Sequence, residues 1–180
     1  MPENDPFARH PEVPSFTVTS TTVSEGAPMG PDQMSGLFGV PGGKDVSPQL
    51  SWSGAPNDTK SYAVTVHDPD APTGCGFCHW VVTNIPASVT ELPEGAGNDD
   101  EGTGLPAGAV QHRHDAGSSR FLGAAPPAGH GPHRYFFTVY ALDVEDLGLP
   151  VDASPALVGF NLFGHTLARA DLVATAEITE

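Results

Sequence analysis

The sequence predicts a mainly β fold, and three observations support this prediction. Glycine and proline contribute 21 and 19 of the 180 residues, a content that favours many short strands joined by turns over a bundle of helices. Alternating apolar residues, which indicate strands, recur along the chain, whereas a clear helix signal occurs once. A chain of this length buries enough apolar surface to fold as one domain without disulfides or structural metals.

The strands are predicted from runs of alternating apolar residues between turn signals. His133–Leu142 gives the strongest signal, because apolar and aromatic residues occupy both of its faces, as in a central strand. Residues 86–133 have almost no periodicity, and a connection of this length is usually functional or mobile. Residues 1–14 are predicted to be a flexible N-terminal arm, which leaves residues 15–180 as the single domain. The other predicted strands are 16–23, 50–53, 62–66, 80–85 and 172–178.

One helix is predicted near the C-terminus, over residues 154–168. Ser154 is a preferred N-cap residue, and Pro155 fits the first turn because its missing N–H would have no partner there. We expect the helix to continue through Gly159 and Gly164 despite their low helix propensity.

The charge of the chain excludes two classes of partner. A formal net charge of −15 at pH 7 repels nucleic-acid phosphates and anionic lipid surfaces. A high-salt cytoplasm would screen the repulsion between so many acidic residues, so we hypothesise that the source is halophilic. The sequence shows neither a secretory signal pattern nor an apolar run of membrane-spanning length, which predicts a cytoplasmic protein without membrane insertion.

The stretch from residue 62 to residue 86 concentrates polar side chains where apolar strands end. Asp68 and Asp70 follow one predicted strand, and His79 precedes the next. A rigid sheet could hold these side chains around a small pocket. The alternative is a sharp turn in which the two carboxylates only cap backbone amides.

His133 and Tyr135 share one face of the strongest strand. Adjacent strands could therefore bring them together with Asp68 and His79 at one edge of a sheet. Imidazoles and a phenol donate hydrogen bonds to the oxygens of a small anion, while Asp68 would orient a histidine. The alternative is that His133 and Tyr135 are core residues with satisfied polar tips.

The motif Cys75–His79 matches the C-x-x-C-H pattern of haem attachment. No export signal accompanies it, and the motif leads into a strand instead of a helix, which also disfavours a thioredoxin-like redox pair. Two reduced thiols in a loop are the favoured interpretation, and no cofactor and no metal are predicted. A zinc site, which we disfavour, would combine the two cysteines with residues among His112, His114 and His130.

Three motifs in order resemble the phosphatidylethanolamine-binding protein family, in particular its prokaryotic Raf-kinase-inhibitor-like branch. They are D-P-D-A-P at 68–72, H-W-V-V-T-N-I-P at 79–86, and G-H-G-P-H-R-Y-F-F-T-V-Y-A-L-D at 129–143. The resemblance extends over about residues 15–178. It implies a β-sandwich with a large antiparallel sheet, a smaller sheet and peripheral helices. His67 and Cys78 depart from the resemblance, because the matching positions in the family are more often apolar or aromatic.

The resemblance also implies an anion pocket and a candidate cis peptide bond between Ala71 and Pro72. At the matching positions, the ligand-binding residues would be Asp68, Asp70, His79, Pro126, His133 and Tyr135. If imidazole protonation governs this pocket, anion affinity should rise as the pH falls from 7 to 6.

The predicted function is a non-catalytic binding protein for a small phosphate-like or carboxylate anion. The resemblance further implies a homodimer and a possible role in regulating or inhibiting a kinase or protease. The alternative is an enzyme that acts on phosphoesters with an Asp/His acid–base pair. A redox or haem protein is the third class.

Overall fold

The computed structural model of the chain describes residues 4–179, which form two antiparallel sheets and one α-helix. The large sheet has the strand order β6-β4-β3-β7-β8, and the small sheet has the order β1-β2-β5. The mainly β prediction is therefore confirmed. The strands are β1 Thr17–Thr19, β2 Leu50–Ser53, β3 Ser61–Asp68, β4 Phe77–Pro86, β5 Glu91–Leu92, β6 Val110–Gln111, β7 His133–Leu142 and β8 Thr166–Ala176; the helix is α1 Pro155–His165, and a 3-10 turn spans Pro31–Gln33.

The large sheet is covered on both faces. On one face, Trp80 and Phe137 pack against Trp52 of the small sheet. On the other face, Val81 packs against Leu162 of α1. Burial of both faces explains why β3, β4 and β7 are rich in apolar residues. The result is a layered domain in which β3 lies at the centre of the large sheet.

Strand β7 has the predicted bounds, whereas the 86–133 connection contains two strands that the sequence did not predict. These strands, β5 and β6, are two residues long. Two residues are too few to show alternation, and the pairing partner alone defines each of them. Strand β1 is also shorter than predicted, with three residues in place of the predicted eight.

The predicted end of the helix, at residue 168, was wrong. The helix ends at His165, and β8 begins at the next residue, because Thr166 pairs with Leu142 at the end of β7. Pairing along the whole of β7 outweighs the helix propensity of Leu167 and Ala168. The predicted start was right, since the Ser154 side chain accepts a hydrogen bond from the backbone N–H of Leu157.

Residues 1–3, part of the predicted N-terminal arm, lie outside the described residues. Residues 4–14 contact the large sheet: Phe7 packs edge-on against Phe136, and the Arg169 guanidinium lies 3.7 Å from the centre of the Phe7 ring. The mobility of the arm stays a prediction. No helix within residues 4–179 has the length and apolarity needed to cross a membrane.

Candidate functional site

A cavity of about 180 Å³ lies where β3, β4 and β7 meet the 125–127 loop. Asp68 ends β3, His79 lies in β4, and His133 and Tyr135 begin β7. The predicted convergence of these four side chains is observed, and Pro126 joins them from the loop. The other lining residues, which the sequence analysis did not single out as contacts, are Phe38, Ala71, Pro72, Thr73, Phe77, Ala125 and Pro127.

A β-bulge in β4 turns His79 toward this cavity. Val66 pairs with Trp80 and His67 pairs with Cys78, so His79 is an extra residue between two paired positions. The bulge places the side chain of His79 on the same side as Trp80, whereas Cys78 faces the opposite side of the sheet. Bulges commonly redirect side chains next to functional sites. Strict alternation in the sequence does not reveal this one.

His79 is a neutral hydrogen-bond acceptor toward the cavity. Its Nδ1 lies 3.0 Å from the carbonyl oxygen of Leu122, which can only accept, so Nδ1 carries the hydrogen. Its Nε2 therefore carries a lone pair, and this nitrogen has no hydrogen-bond partner among residues 4–179. Burial lowers the pKa of His79 to about 4, although the Leu122 carbonyl and the charge of Asp68 oppose this shift. His79 therefore stays neutral between pH 6 and 7, so a rise in anion affinity over this range cannot come from protonation of His79.

His133 is held between a carboxylate and a second imidazole. Its Nδ1 donates a hydrogen bond to Oδ2 of Asp68 over 2.7 Å, and both side chains are buried. Its Nε2 lies 2.6 Å from Nδ1 of His130, an exposed residue. A ligand that binds to His133 Nε2 must therefore displace His130. The Asp68 carboxylate would compensate a positive charge on the His133 ring.

Tyr135 contributes a buried hydroxyl beside the same carboxylate. Its phenol contacts the Asp68 side chain and the backbone of Ala125, and burial raises its pKa strongly, followed by the charge of Asp68. The Tyr135 ring also packs edge-on against His79, with 5.2 Å between ring centres. Tyr135 thus fixes the position of both Asp68 and His79.

The loop that carries Pro126 is fastened to the 32–45 segment, a connection that the sequence analysis missed. The buried carboxylate of Asp45 accepts hydrogen bonds from the backbone N–H groups of Gly123 and Leu37, at 2.8 and 2.9 Å. A Cβ atom at Gly123 would come within 2.4 Å of the Met34 backbone, so only glycine allows this approach. The wall of the cavity that contains Pro126 is therefore held in place by residues that are distant in sequence.

Asp70 does not line the cavity. Its carboxylate forms a bidentate pair with Arg134 at 2.8 and 2.9 Å and also accepts the Arg134 backbone N–H. Hydrogen bonding from Arg134 is the main cause that lowers the pKa of Asp70. This pair attaches the turn after β3 to β7. Asp70 therefore positions this turn in the structure, and its direct contact with a ligand stays a prediction.

The expectation of a cis bond between Ala71 and Pro72 was wrong, because none of the described residues has a cis peptide bond. The turn closes without one. The Asp70 N–H donates to Oδ1 of Asp68 over 2.8 Å, and the Thr73 N–H donates to the Ala71 carbonyl over 2.7 Å.

The structure separates the members of the C-x-x-C-H motif. Cys75 is exposed in the loop, whereas Cys78 is buried on the face opposite to His79. Burial raises the pKa of Cys78 to about 12, followed by the charge of Asp115, which disfavours the reactive thiolate. Within residues 4–179 no group of three or more histidine, cysteine or acidic side chains is arranged to hold a metal ion.

Comparison with known proteins gives one consistent family. The model of the phosphatidylethanolamine-binding protein family matches residues 19–177. YbcL of Escherichia coli is 49% identical over 164 residues, which cover 91% of this chain and 88% of YbcL. YbhB of the same organism is 48% identical over 132 residues, or 73% of this chain and 82% of YbhB.

The fold agrees with these sequence matches. The crystal structure of YbcL, described as a member of the mammalian PEBP family, superposes with a TM-score of 0.88 over 92% of this chain and 99% of YbcL, at 47% identity. LppC of Mycobacterium tuberculosis, whose name proposes a lipoprotein, is 34% identical over 93% of this chain and 75% of LppC. Relatives therefore do not point to a single compartment.

Proposed function

Because this chain belongs to the phosphatidylethanolamine-binding protein family, we propose that it is a non-catalytic binding protein whose cavity takes a small oxyanion carrying a proton. A phosphate or phosphomonoester monoanion has this chemistry. The observation that carries the proposal is the pair of imidazoles at one cavity. His79 offers an acceptor nitrogen, and His133, whose Nδ1 is bonded to Asp68, can donate from Nε2 when the ring is protonated and the ligand displaces His130.

The charges around the cavity favour a monoanion over a dianion. Among residues 4–179, Asp68 is the only lining residue with a carboxylate, and no lysine or arginine of this range lines the cavity. A dianion would meet this negative charge without a fixed cation, whereas a monoanion is compensated when His133 is protonated. The ligand's own O–H group can donate to Nε2 of His79. A volume of about 180 Å³ fits a small head group better than a drug-sized molecule.

The first test is calorimetric titration with phosphate and with sulfate at pH 6 and pH 8. Sulfate carries no proton in this range, whereas phosphate gains one as the pH falls. We expect phosphate to bind more tightly at pH 6 than at pH 8, and about 2–10-fold more tightly than sulfate at pH 6, the range that one net hydrogen bond provides. Sulfate affinity equal to that of phosphate at pH 6 would contradict the role of the O–H group.

Two variants test whether the anions bind in the cavity that contains His79. His79→Leu removes the acceptor and should abolish the preference for phosphate over sulfate. His165→Leu is the matched control, because His165 lies at the end of α1 with its side chain 39% exposed, and its affinities should stay within about twofold. If neither anion shows saturable binding to the wild-type protein, the proposed function is wrong.

The cavity gives little support to the alternative of a phosphoester-acting enzyme. The lining side chains with hydroxyl groups are Thr73 and Tyr135. Thr73 hydrogen-bonds to the Gly76 carbonyl, and Tyr135 bonds to Asp68, so neither is placed to pass its proton to a histidine. Turnover of a phosphomonoester that disappears in His133→Ala would favour the enzyme.

We also propose that two copies associate through α1. The helix carries no aspartate, glutamate, lysine or arginine on a chain with 22 acidic residues, so like-charge repulsion is weakest there. Phe160 and Phe163 are 76% and 50% exposed, and Leu157 is also exposed. Exposed apolar patches of this kind mark association surfaces, and a second copy matches the patch in charge.

The dimer can be tested by sedimentation velocity. Phe160→Asp places a negative charge in the contact and should shift the protein from dimer to monomer. Leu37→Asp is the control, since Leu37 is 61% exposed and lies outside α1, and it should leave the dimer intact. A wild-type monomer at high protein concentration would overturn the proposal.

A further inference from the structure

A second cavity lies on the opposite face of the large sheet, beneath α1. Its volume of about 280 Å³ exceeds that of the anion cavity. Its walls are mostly apolar and include Phe7 from the N-terminal segment, Val81 of β4 and Leu162 of α1. Its polar lining includes His67 and Cys78, the two positions at which the sequence departs from the family resemblance.

Two imidazoles line this cavity without a hydrogen-bond partner for their ring nitrogens among residues 4–179: His67 in β3 and His10 in the N-terminal segment. The His10 ring packs edge-on against Phe7 and Phe163, whereas His67 lies in the sheet wall of the cavity. The His67 side chain is half-buried. Burial lowers the pKa of His67 although Asp68 and Asp115 oppose this shift, so the ring is neutral at pH 7. A neutral imidazole has one donor and one acceptor nitrogen. Burying a polar group in an apolar wall costs free energy unless the group forms a hydrogen bond.

The surroundings of His67 disfavour a charged occupant. The carboxylate of Asp115 lies in the wall, where it accepts the backbone N–H of Cys78 over 2.6 Å. The chain has a net charge of −15, and none of the described residues that line the cavity is a lysine or arginine. An anion would therefore be repelled. A cation would lose its water against apolar walls and meet only one carboxylate that is already engaged.

We propose that this second cavity binds a small uncharged molecule, made of an apolar ring or chain with one hydroxyl group that hydrogen-bonds to His67. The apolar part would pack between Val81 and Leu162, where burial of apolar surface provides most of the affinity. This site does not depend on the anion cavity, because the sheet separates the two.

Gly159 of α1 provides a way to fill the cavity without disturbing the fold. It lies in the cavity wall, and a Cβ atom there would meet no atom within 4 Å. Gly159→Leu should therefore occupy the space and also favour the helix. Gly164→Leu is the matched control, since Gly164 has equally open surroundings in the same helix but does not line the cavity.

The test uses phenol and toluene as probes in calorimetric titrations at pH 7. We expect saturable binding of phenol to the wild-type protein and to Gly164→Leu with affinities within about twofold of each other. Gly159→Leu should lose at least tenfold in phenol affinity while its phosphate binding is unchanged. If Gly159→Leu does not fold, Ala156→Leu, at another wall position of α1, replaces it.

His67→Phe separates hydrogen bonding from apolar packing. We expect the wild-type protein to prefer phenol over toluene by about 2–10-fold, the range of one net hydrogen bond, and His67→Phe to lose that preference. The proposal is overturned if phenol shows no saturable binding, or if Gly159→Leu binds phenol as the wild-type protein does. Equal affinities of the wild-type protein for phenol and toluene would overturn the role of His67.

Discussion

Replacing Asp68 with alanine should lower the free energy of unfolding by about 3–5 kcal/mol, because each buried donor left without its partner costs about 1–3 kcal/mol. Asp68 is 3% exposed and accepts hydrogen bonds from Nδ1 of His133 and from the backbone N–H of Asp70. The substitution leaves these donors and the Tyr135 hydroxyl without their partner. Phosphate binding should disappear with it. Urea unfolding at pH 7, together with calorimetric titration, measures both effects.

The chain contains a matched control for this substitution. Asp143 and His165 form a second Asp–His pair at 2.8 Å, but their side chains are 49% and 39% exposed, against 4% and 2% for Asp68 and His133. Asp143→Ala should cost less than about 1 kcal/mol, because solvent screens exposed pairs. Equal losses in the two variants would show that burial does not set the strength of the Asp68–His133 pair.

Acid should destabilise the protein through His79 between about pH 6.5 and pH 4. The unfolded chain binds a proton at the ordinary histidine pKa of 6.5, whereas burial keeps the folded-state pKa of His79 at about 4. Stability is therefore fully present above pH 6.5 and decreases as the pH falls, until the folded protein also takes up the proton. The loss amounts to about 3 kcal/mol for this residue.

The His79 contribution can be measured as a difference. Burial also lowers the pKa of His67, His112 and His114. The free energy of unfolding of the wild-type protein should therefore fall more steeply with decreasing pH than one histidine explains. His79→Gln should flatten the dependence of unfolding free energy on pH over this range, whereas His165→Gln should not. Parallel curves for the wild-type protein and His79→Gln would contradict the neutral state of His79.

The fold was largely predictable because its main strands carry their own signals. His133–Leu142 carries apolar and aromatic residues on both of its faces, and the structure assigns these bounds to β7. The final strand was less predictable. Leu167–Ala170 favours helix locally, and only the presence of β7 alongside makes it part of β8. Pairing partners that lie far away in sequence leave no local pattern.

The candidate site was predicted in composition but not in its internal contacts. Asp68, His79, His133 and Tyr135 converge as expected, because three strand ends meet at one edge of the sheet. The protonation of His79 could not be predicted, since it depends on burial and on the Leu122 carbonyl, which the sequence does not place. The anchoring role of Asp45 was missed for the same reason.

The extra residue in β4 has a consequence for comparing homologous chains. The residue between Cys78 and Trp80 is His79, so deleting this position would restore the normal alternation of the strand and would also remove the imidazole from the cavity that contains Asp68. A one-residue insertion or deletion in this strand should therefore change which side chains face the cavity, whereas a substitution changes one side chain and leaves the register intact. Strand length, and not only residue identity, is the feature to compare between relatives.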